Sequence, residues 1–121
     1  MKHNPGFLAL VDAAKARVKE IDITEYQKLP REGHLLIDVR EDNEWAAGHA
    51  AGAIHLSKGI IERDIETRVP DPSTKMVLYC GGGYRSALVA DALRQMGYQD
   101  AISLDGGWRA WNAAGLPVTK D

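Results

Sequence analysis

Cysteine is almost missing from this chain: of 121 residues only Cys80 is one. A lone cysteine cannot close an internal disulfide, which excludes a stapled secreted framework and points to a reducing compartment. Long hydrophobic runs are missing too. Phe7 to Val11 is short and broken by Asp12, too little for a signal-peptide core, and no stretch approaches the length of a membrane span. No basic block stands out either. Fifteen Lys and Arg against 17 Asp and Glu give a formal net charge of −2, which leaves no electrostatic footprint for nucleic acid. His3, His34 and His55 show no ligand spacing with Cys80, so no metal is expected. The length suffices for one ordinary domain with its own core and not for two. The expectation is a cytoplasmic, single-domain protein with no membrane or nucleic-acid partner.

What is present centres on Cys80-Gly81-Gly82-Gly83-Tyr84-Arg85-Ser86. The apolar run Met76-Val77-Leu78-Tyr79 before it reads as a buried parallel strand. After it, Ala87, Leu88, Ala92, Leu93 and Met96 are spaced like the inner face of a helix that Gly97 ends. Cys80 therefore sits where a strand stops, a glycine loop turns and a helix begins. Successive glycines let several N–H groups point at one centre, and a helix start adds unpaired donors with partial positive charge. Together they make an anion cradle for a thiolate. A thiol of pKa ~8.5 is about 3% ionised at pH 7. Lowering it by two units needs about 2.7 kcal/mol, within reach of aimed N–H groups, a helix terminus and Arg85. A cysteine ending a buried strand is ordinarily a small hydrophobe; glycine loop, arginine and helix start together favour a nucleophile.

In chain order, residues 5–19 read as an amphipathic helix with Phe7, Val11, Ala14 and Val18 on one stripe, an extension (residues 1–19) that packs on a domain spanning residues 20–121. Glu20 to Ile23 is a strand candidate, and Thr24 caps a short helix that Pro30 ends. His34 to Val39 is a buried strand interrupted by Asp38 and followed by Arg40. Glu41 to Ala47 is a helical turn or two closing at Gly48. Ala53 to Leu56 is a strand, Ser57 an N-cap for a helix carrying Ile61, Ile65 and Val69, Ala101 to Leu104 the last strand, and Gly106 to Ala114 the last helix. Strands alternating with helices imply an α/β fold: a mostly parallel central sheet with right-handed crossovers and helices on both faces. Ligands bind at the carboxyl edge of such sheets, where Asp38, Arg40, Cys80 and Asp105 should gather. Glu44 and His49 could pair across a turn. Trp108 and Trp111 read as packing residues, and Asp38 with Arg40 as a brace for the loops.

Three pieces resemble the rhodanese family over about residues 20–118. They are Leu36-Ile37-Asp38-Val39-Arg40 with Glu44-Trp45 and Gly48-His49-Ala50-Ala51-Gly52-Ala53; the loop from Cys80 to Arg85; and Leu104-Asp105-Gly106-Gly107 with Trp111 and Gly115-Leu116-Pro117-Val118. The resemblance implies a single-domain rhodanese-like fold. Its implied activity is thiosulfate:cyanide sulfurtransferase chemistry, in which a cysteine takes sulfane sulfur as a persulfide and passes it to cyanide, a thiol or a protein acceptor, with no cofactor. The implied nucleophile is Cys80. The implied cradle is Gly81, Gly82, Gly83, Tyr84 and Arg85, with Arg85 as its cation and Ser86, Asp38 and Arg40 in support. Two departures stand out. Ala50 occupies a position where the family often has isoleucine, and Gly81 follows the cysteine where many thiosulfate-using members carry a basic residue. The second resembles members that use 3-mercaptopyruvate, while Arg85 keeps thiosulfate open.

Two rivals remain in view. Phosphatases and arsenate reductases also use a cysteine-glycine-arginine loop, including some on this fold. They place five residues between cysteine and arginine, whereas this chain has four, a ring suited to one sulfur rather than a tetrahedral phosphate. A nucleotide P-loop is disfavoured because no Gly-Lys-Ser or Gly-Lys-Thr follows the glycines. From another class, the domain could be a sulfur carrier or docking module fed by a protein partner; the intact Cys80 argues for catalysis.

Overall fold

The computed structural model describes residues 3–121. With elements numbered in chain order, its frame is a five-stranded sheet. The spatial order is β1 (Lys19–Ile21), β6 (Ala101–Leu104), β5 (Met76–Tyr79), β2 (Leu35–Asp38) and β4 (Ile54–His55). Every pairing is parallel. Both faces are covered, so the strands are apolar on both sides, and their side chains alternate between two cores. Met76, Leu78 and Cys80 enter one core with Ile37, Val39 and Ile65; Val77 and Tyr79 enter the other with Leu36, Ile102, Leu104 and Trp111.

Helices follow from the direction of travel across the sheet. From β4 through α4 (Ile61–Arg68) to β5, and through α5 (Tyr84–Gln95) to β6, the chain moves one way, and Ile61, Ile65, Val89 and Leu93 fill the first core. From β1 to β2 it moves the other way, through α2 (Ile23–Gln27), and Ile23 and Tyr26 pack in the second core. Right-handed crossovers require a change of face with a change of direction. After β2 the chain leaves toward β4; after β5 it leaves toward β6. The crevice between these neighbouring strands is the topological switch point, where ligands bind in open parallel sheets. Cys80 is the first residue past the end of β5.

Local boundaries differ from the sequence reading in several places, most by a single residue. The first helix, α1 (Pro5–Lys15), stops short of Val18, because Val18 leaves the helix to pack on the first core and Lys19 already begins β1. The cap of α2 is Asp22 rather than Thr24: the Asp22 carboxylate accepts the Glu25 N–H at 2.8 Å, and Glu25 accepts the Asp22 N–H at 3.1 Å, a reciprocal capping box. Ser57 makes no side-chain cap, and α4 begins at Ile61 instead. An antiparallel pair, β3 (His49–Ala50) with β7 (Val118–Thr119), was not anticipated; two-residue strands carry no readable period. Between β2 and β3 lies α3 (Asp42–Ala47), which begins one residue past the expected start and closes at Gly48. Among the described residues no helix is long and apolar enough to cross a membrane.

Below the switch point a charged pair is fully enclosed. Asp38 is 0% and Arg40 3% exposed. Arg40 Nε and Nη2 donate to the two carboxylate oxygens at 3.0 and 2.8 Å, and Nη2 also donates to the Gly48 carbonyl at 2.7 Å. The Tyr79 hydroxyl donates to Asp38 at 2.7 Å and accepts the Ala50 N–H at 3.0 Å. Burial pushes the Tyr79 phenol up, which keeps it a donor. The Trp108 ring lies 4.5 Å from the Arg40 guanidinium carbon. Every strong polar group in this cluster has a partner, the condition under which buried charge is tolerated. Asp38→Ala leaves the Arg40 charge uncompensated. Urea unfolding is expected to show a loss of about 3–5 kcal/mol, against about 1–3 kcal/mol for Tyr79→Phe.

Candidate active site

Cys80 turns its side chain toward α5, and its sulfur lies at the foot of that helix with 1% of the residue exposed. The Gly83 N–H points at Sγ with N to S at 3.2 Å, and the Ser86 N–H at 3.4 Å. The Ser86 hydroxyl oxygen is 3.6 Å from Sγ and 2.8 Å from the hydroxyl of Ser103, a buried residue of β6. When the sulfur is ionised, Ser86 can donate to it while accepting from Ser103. Burial pushes the thiol up; the Ser86 hydroxyl and N–H and the Gly83 and Gly82 N–H groups push it down and prevail, so Cys80 ends below its ordinary value.

The N–H groups face the sulfur because the loop carbonyls are held elsewhere. Trp108 donates its N–H to the Cys80 carbonyl at 2.7 Å, Arg109 to Gly81 at 3.1 Å, and Gly106 to Gly82 at 3.3 Å. These donors belong to the start of α6 (Gly107–Ala113). A trans peptide sets its C=O and N–H on opposite sides. Fixing the Gly81 and Gly82 carbonyls on α6 therefore turns the N–H groups of Gly82 and Gly83 toward Cys80. This close approach explains a glycine: Gly107 has φ +47°, and a Cβ there would strike the Cys80 carbonyl oxygen.

The residues expected at one edge of the sheet are found there. Asp38, Arg40, Cys80 and Asp105 end strands at the same edge, and Asp38 with Arg40 form the brace described above. Tyr84 opens α5, its ring 5.0 Å from His3 and 6.2 Å from Phe7, with Lys15 Nζ 5.2 Å from the ring centre. Arg85, the expected cation of the cradle, has its guanidinium beside Gly81 and also forms a two-pronged pair with Glu44 at 2.7 and 3.2 Å. That guanidinium holds the Glu44 carboxyl below the usual carboxylate range. The Glu44–His49 pairing does not occur. His49 stacks on Trp45, ring centres 3.3 Å apart, with Nδ1 2.9 Å from the Trp45 carbonyl, so it is a structural histidine. Among the described residues no cluster of His, Cys, Asp and Glu could hold a metal. Ser103 and Arg109 escaped the sequence reading. Ser103 left one faint signal, a hydroxyl inside an apolar strand; Arg109 left none.

Two openings accompany this site. The larger, about 570 Å³, lies by the start of β2 and is lined by Tyr26, His34, Leu35, Trp111 and Pro117, away from the loop. The smaller, about 500 Å³, is lined by Gly82, Tyr84, Gly106 and Arg109 and contains the mouth of the loop. Cys80 lines neither opening; the smaller one reaches its loop through Gly82 and Tyr84.

A sheet with this order, a cysteine cradled at its switch point and the closing Leu104-Asp105-Gly106-Gly107 segment bound to the loop define a class. The chain belongs to the rhodanese-like domain family, whose model matches residues 22–114. It is similar in structure to the polysulfide-sulfur transferase homodimer of Wolinella succinogenes (30% identity, TM-score 0.79, 94% of this chain and 87% of that one). It is also similar to a Rhodopseudomonas palustris protein of unknown function described as a possible tyrosine phosphatase (27% identity, TM-score 0.82, 98% of each chain). A human single-domain sulfurtransferase shares the fold at 23% identity and TM-score 0.70, over 79% of this chain and 96% of that one.

The hydroxyl and N–H groups around Cys80 imply a pH signature. Alkylation by iodoacetamide should rise with pH through the depressed thiol pKa and level off above it. Ser86→Ala, which removes one hydrogen bond to the charged form, should move that inflection up by about one unit. An unmoved inflection means the hydroxyl does not serve the thiolate.

Proposed function

We propose that this protein is a sulfurtransferase that moves sulfane sulfur from a small donor such as thiosulfate to a thiophilic acceptor, cyanide or a thiol, through a persulfide on Cys80. The observation that carries this reading is the set of N–H groups converging on one sulfur atom inside a loop with only four residues, Gly81 to Tyr84, between Cys80 and Arg85. A ring of that size suits a persulfide sulfur better than a phosphate. The likeness to a polysulfide-sulfur transferase adds weight. The neighbour described as a possible tyrosine phosphatase makes phosphoryl transfer the natural alternative, and the tight loop argues against it.

In the first half-reaction the Cys80 thiolate attacks the outer sulfur of thiosulfate. A new S–S bond forms, the donor's own S–S bond breaks, and its electron pair leaves with sulfite. No proton moves, so no side-chain base is needed. The terminal sulfur of the persulfide carries the negative charge, and the same N–H groups stabilise it. In the second half-reaction cyanide attacks that terminal sulfur, thiocyanate departs, and the Cys80 thiolate returns. No cofactor enters either step.

Intact mass before and after brief thiosulfate treatment tests the scheme. One sulfur should add to the wild type and none to Cys80→Ser, and cyanide should release it as thiocyanate. If neither thiosulfate nor 3-mercaptopyruvate loads Cys80, the enzyme reading fails and a carrier fed by a protein partner takes its place. Hydrolysis of an aryl phosphate ester dependent on Cys80 would instead establish the phosphatase alternative.

A further inference from the structure

The mouth of the loop holds a charge that the scheme above leaves idle. Arg109 is an exposed residue on the first turn of α6, with Nε 3.5 Å from the Gly81 carbonyl. Its guanidinium lies so close over Gly82 that a Cβ on Gly82 would collide with it. Gly82 is one of the residues whose N–H stabilises the Cys80 thiolate. The guanidinium and the sulfur are therefore served by the same short piece of backbone. The other cations nearby are engaged: Arg85 with Glu44, and Lys15 with Glu20 and Asp105. Among the described residues no carboxylate pairs with Arg109, and the cleft at the loop's mouth passes directly beside it.

We propose that Arg109, rather than Arg85, binds the anionic end of the sulfur donor. This deepens the sulfurtransferase reading and rests on it for the identity of the ligand. The physical distinction is net charge. A guanidinium already bridged to a carboxylate offers an incoming anion little attraction and would have to give up two charge-assisted bonds. An unpaired guanidinium at the rim of a cleft gains one. The donor class is a sulfane compound whose anionic group lies one bond from the transferable sulfur, as the sulfonate of thiosulfate does. Its outer sulfur bonds to Cys80 Sγ, and the electron pair of the breaking bond leaves on the fragment that Arg109 holds. Gly81, directly after the cysteine, supplies no charge of its own.

The test compares Cys80 alkylation by iodoacetate and by uncharged iodoacetamide, in the wild type, Arg109→Ala and Arg109→Lys, beside thiosulfate loading read by intact mass. Arg109→Ala should slow both iodoacetate and thiosulfate by about tenfold, the loss of one charge-assisted contact, while iodoacetamide changes by less than about twofold. Arg109→Lys should retain part of the anion preference. Equal slowing of both alkylating reagents in Arg109→Ala would make Arg109 a mere support of the loop. An anion preference that survives in Arg109→Ala would return the role to another cation. Either result overturns the proposal. The iodoacetate arm needs no sulfur transfer, so a wild type that thiosulfate fails to load sinks the proposed function and leaves this comparison able to judge Arg109 alone.

Discussion

The orientation of three peptide planes, those joining Cys80 to Gly83, governs most of what this molecule can do. Their carbonyls bind N–H groups at the start of α6, and the N–H groups of Gly82 and Gly83 turn inward to the sulfur as a result. Burial alone would make Cys80 an inert hydrophobic thiol. The aimed donors reverse that, in the same enclosed volume where each hydrogen bond to charge counts for more than it would in water. Glycines are needed on both sides of this contact, because two backbones meet with no room for a side chain. The strand β5 delivers Cys80 to the place, and the helix α5 contributes Ser86 from its first turn.

A second constraint lies one layer below. Asp38, Arg40 and Tyr79 tie the ends of β2 and β5 to Ala50 of β3 and to the Gly48 carbonyl at the close of α3. These are the strands that flank the switch point, so the brace fixes the floor on which the loop stands. Trp108 joins the two levels: its N–H holds the Cys80 carbonyl and its ring covers the Arg40 guanidinium. Buried ion pairs contribute little net stability, but a fully satisfied one admits few alternative arrangements. Here that restriction reaches the site through Tyr79, the residue before Cys80, and through Trp108.

The sequence made some of this plain and hid the rest for identifiable reasons. Met76–Tyr79 and Ala101–Leu104 were legible to the residue, because buried parallel strands are short unbroken apolar runs bounded by turns. Cys80 and the glycines after it were legible because strand end, glycine loop and helix start all fall on one segment. Side-chain partners across large sequence gaps were not. Arg85 lies 41 residues from Glu44, and no local pattern tells an arginine that will meet a carboxylate from one that will stay free. The hydrogen bond between Ser86 and Ser103 was hidden in the same way. The role of the segment from Gly106 to Arg109 could not be read from the sequence, since its hold on the loop is made by backbone N–H groups that every residue except proline has.

The bonds from α6 to the loop also make thiol acidity a property of the finished fold. The residues that fix the Cys80, Gly81 and Gly82 carbonyls come more than twenty positions after the cysteine, and Ser103 of β6 comes just before them. A chain that has left the ribosome only as far as α5 owns the cysteine and the glycines, but not the groups that turn the backbone toward the sulfur. Until β6 and α6 dock, the loop carbonyls lack the partners that aim the Gly82 and Gly83 N–H groups at the sulfur. The C-terminal segment thus completes the setting of Cys80, and only once the chain around it has closed.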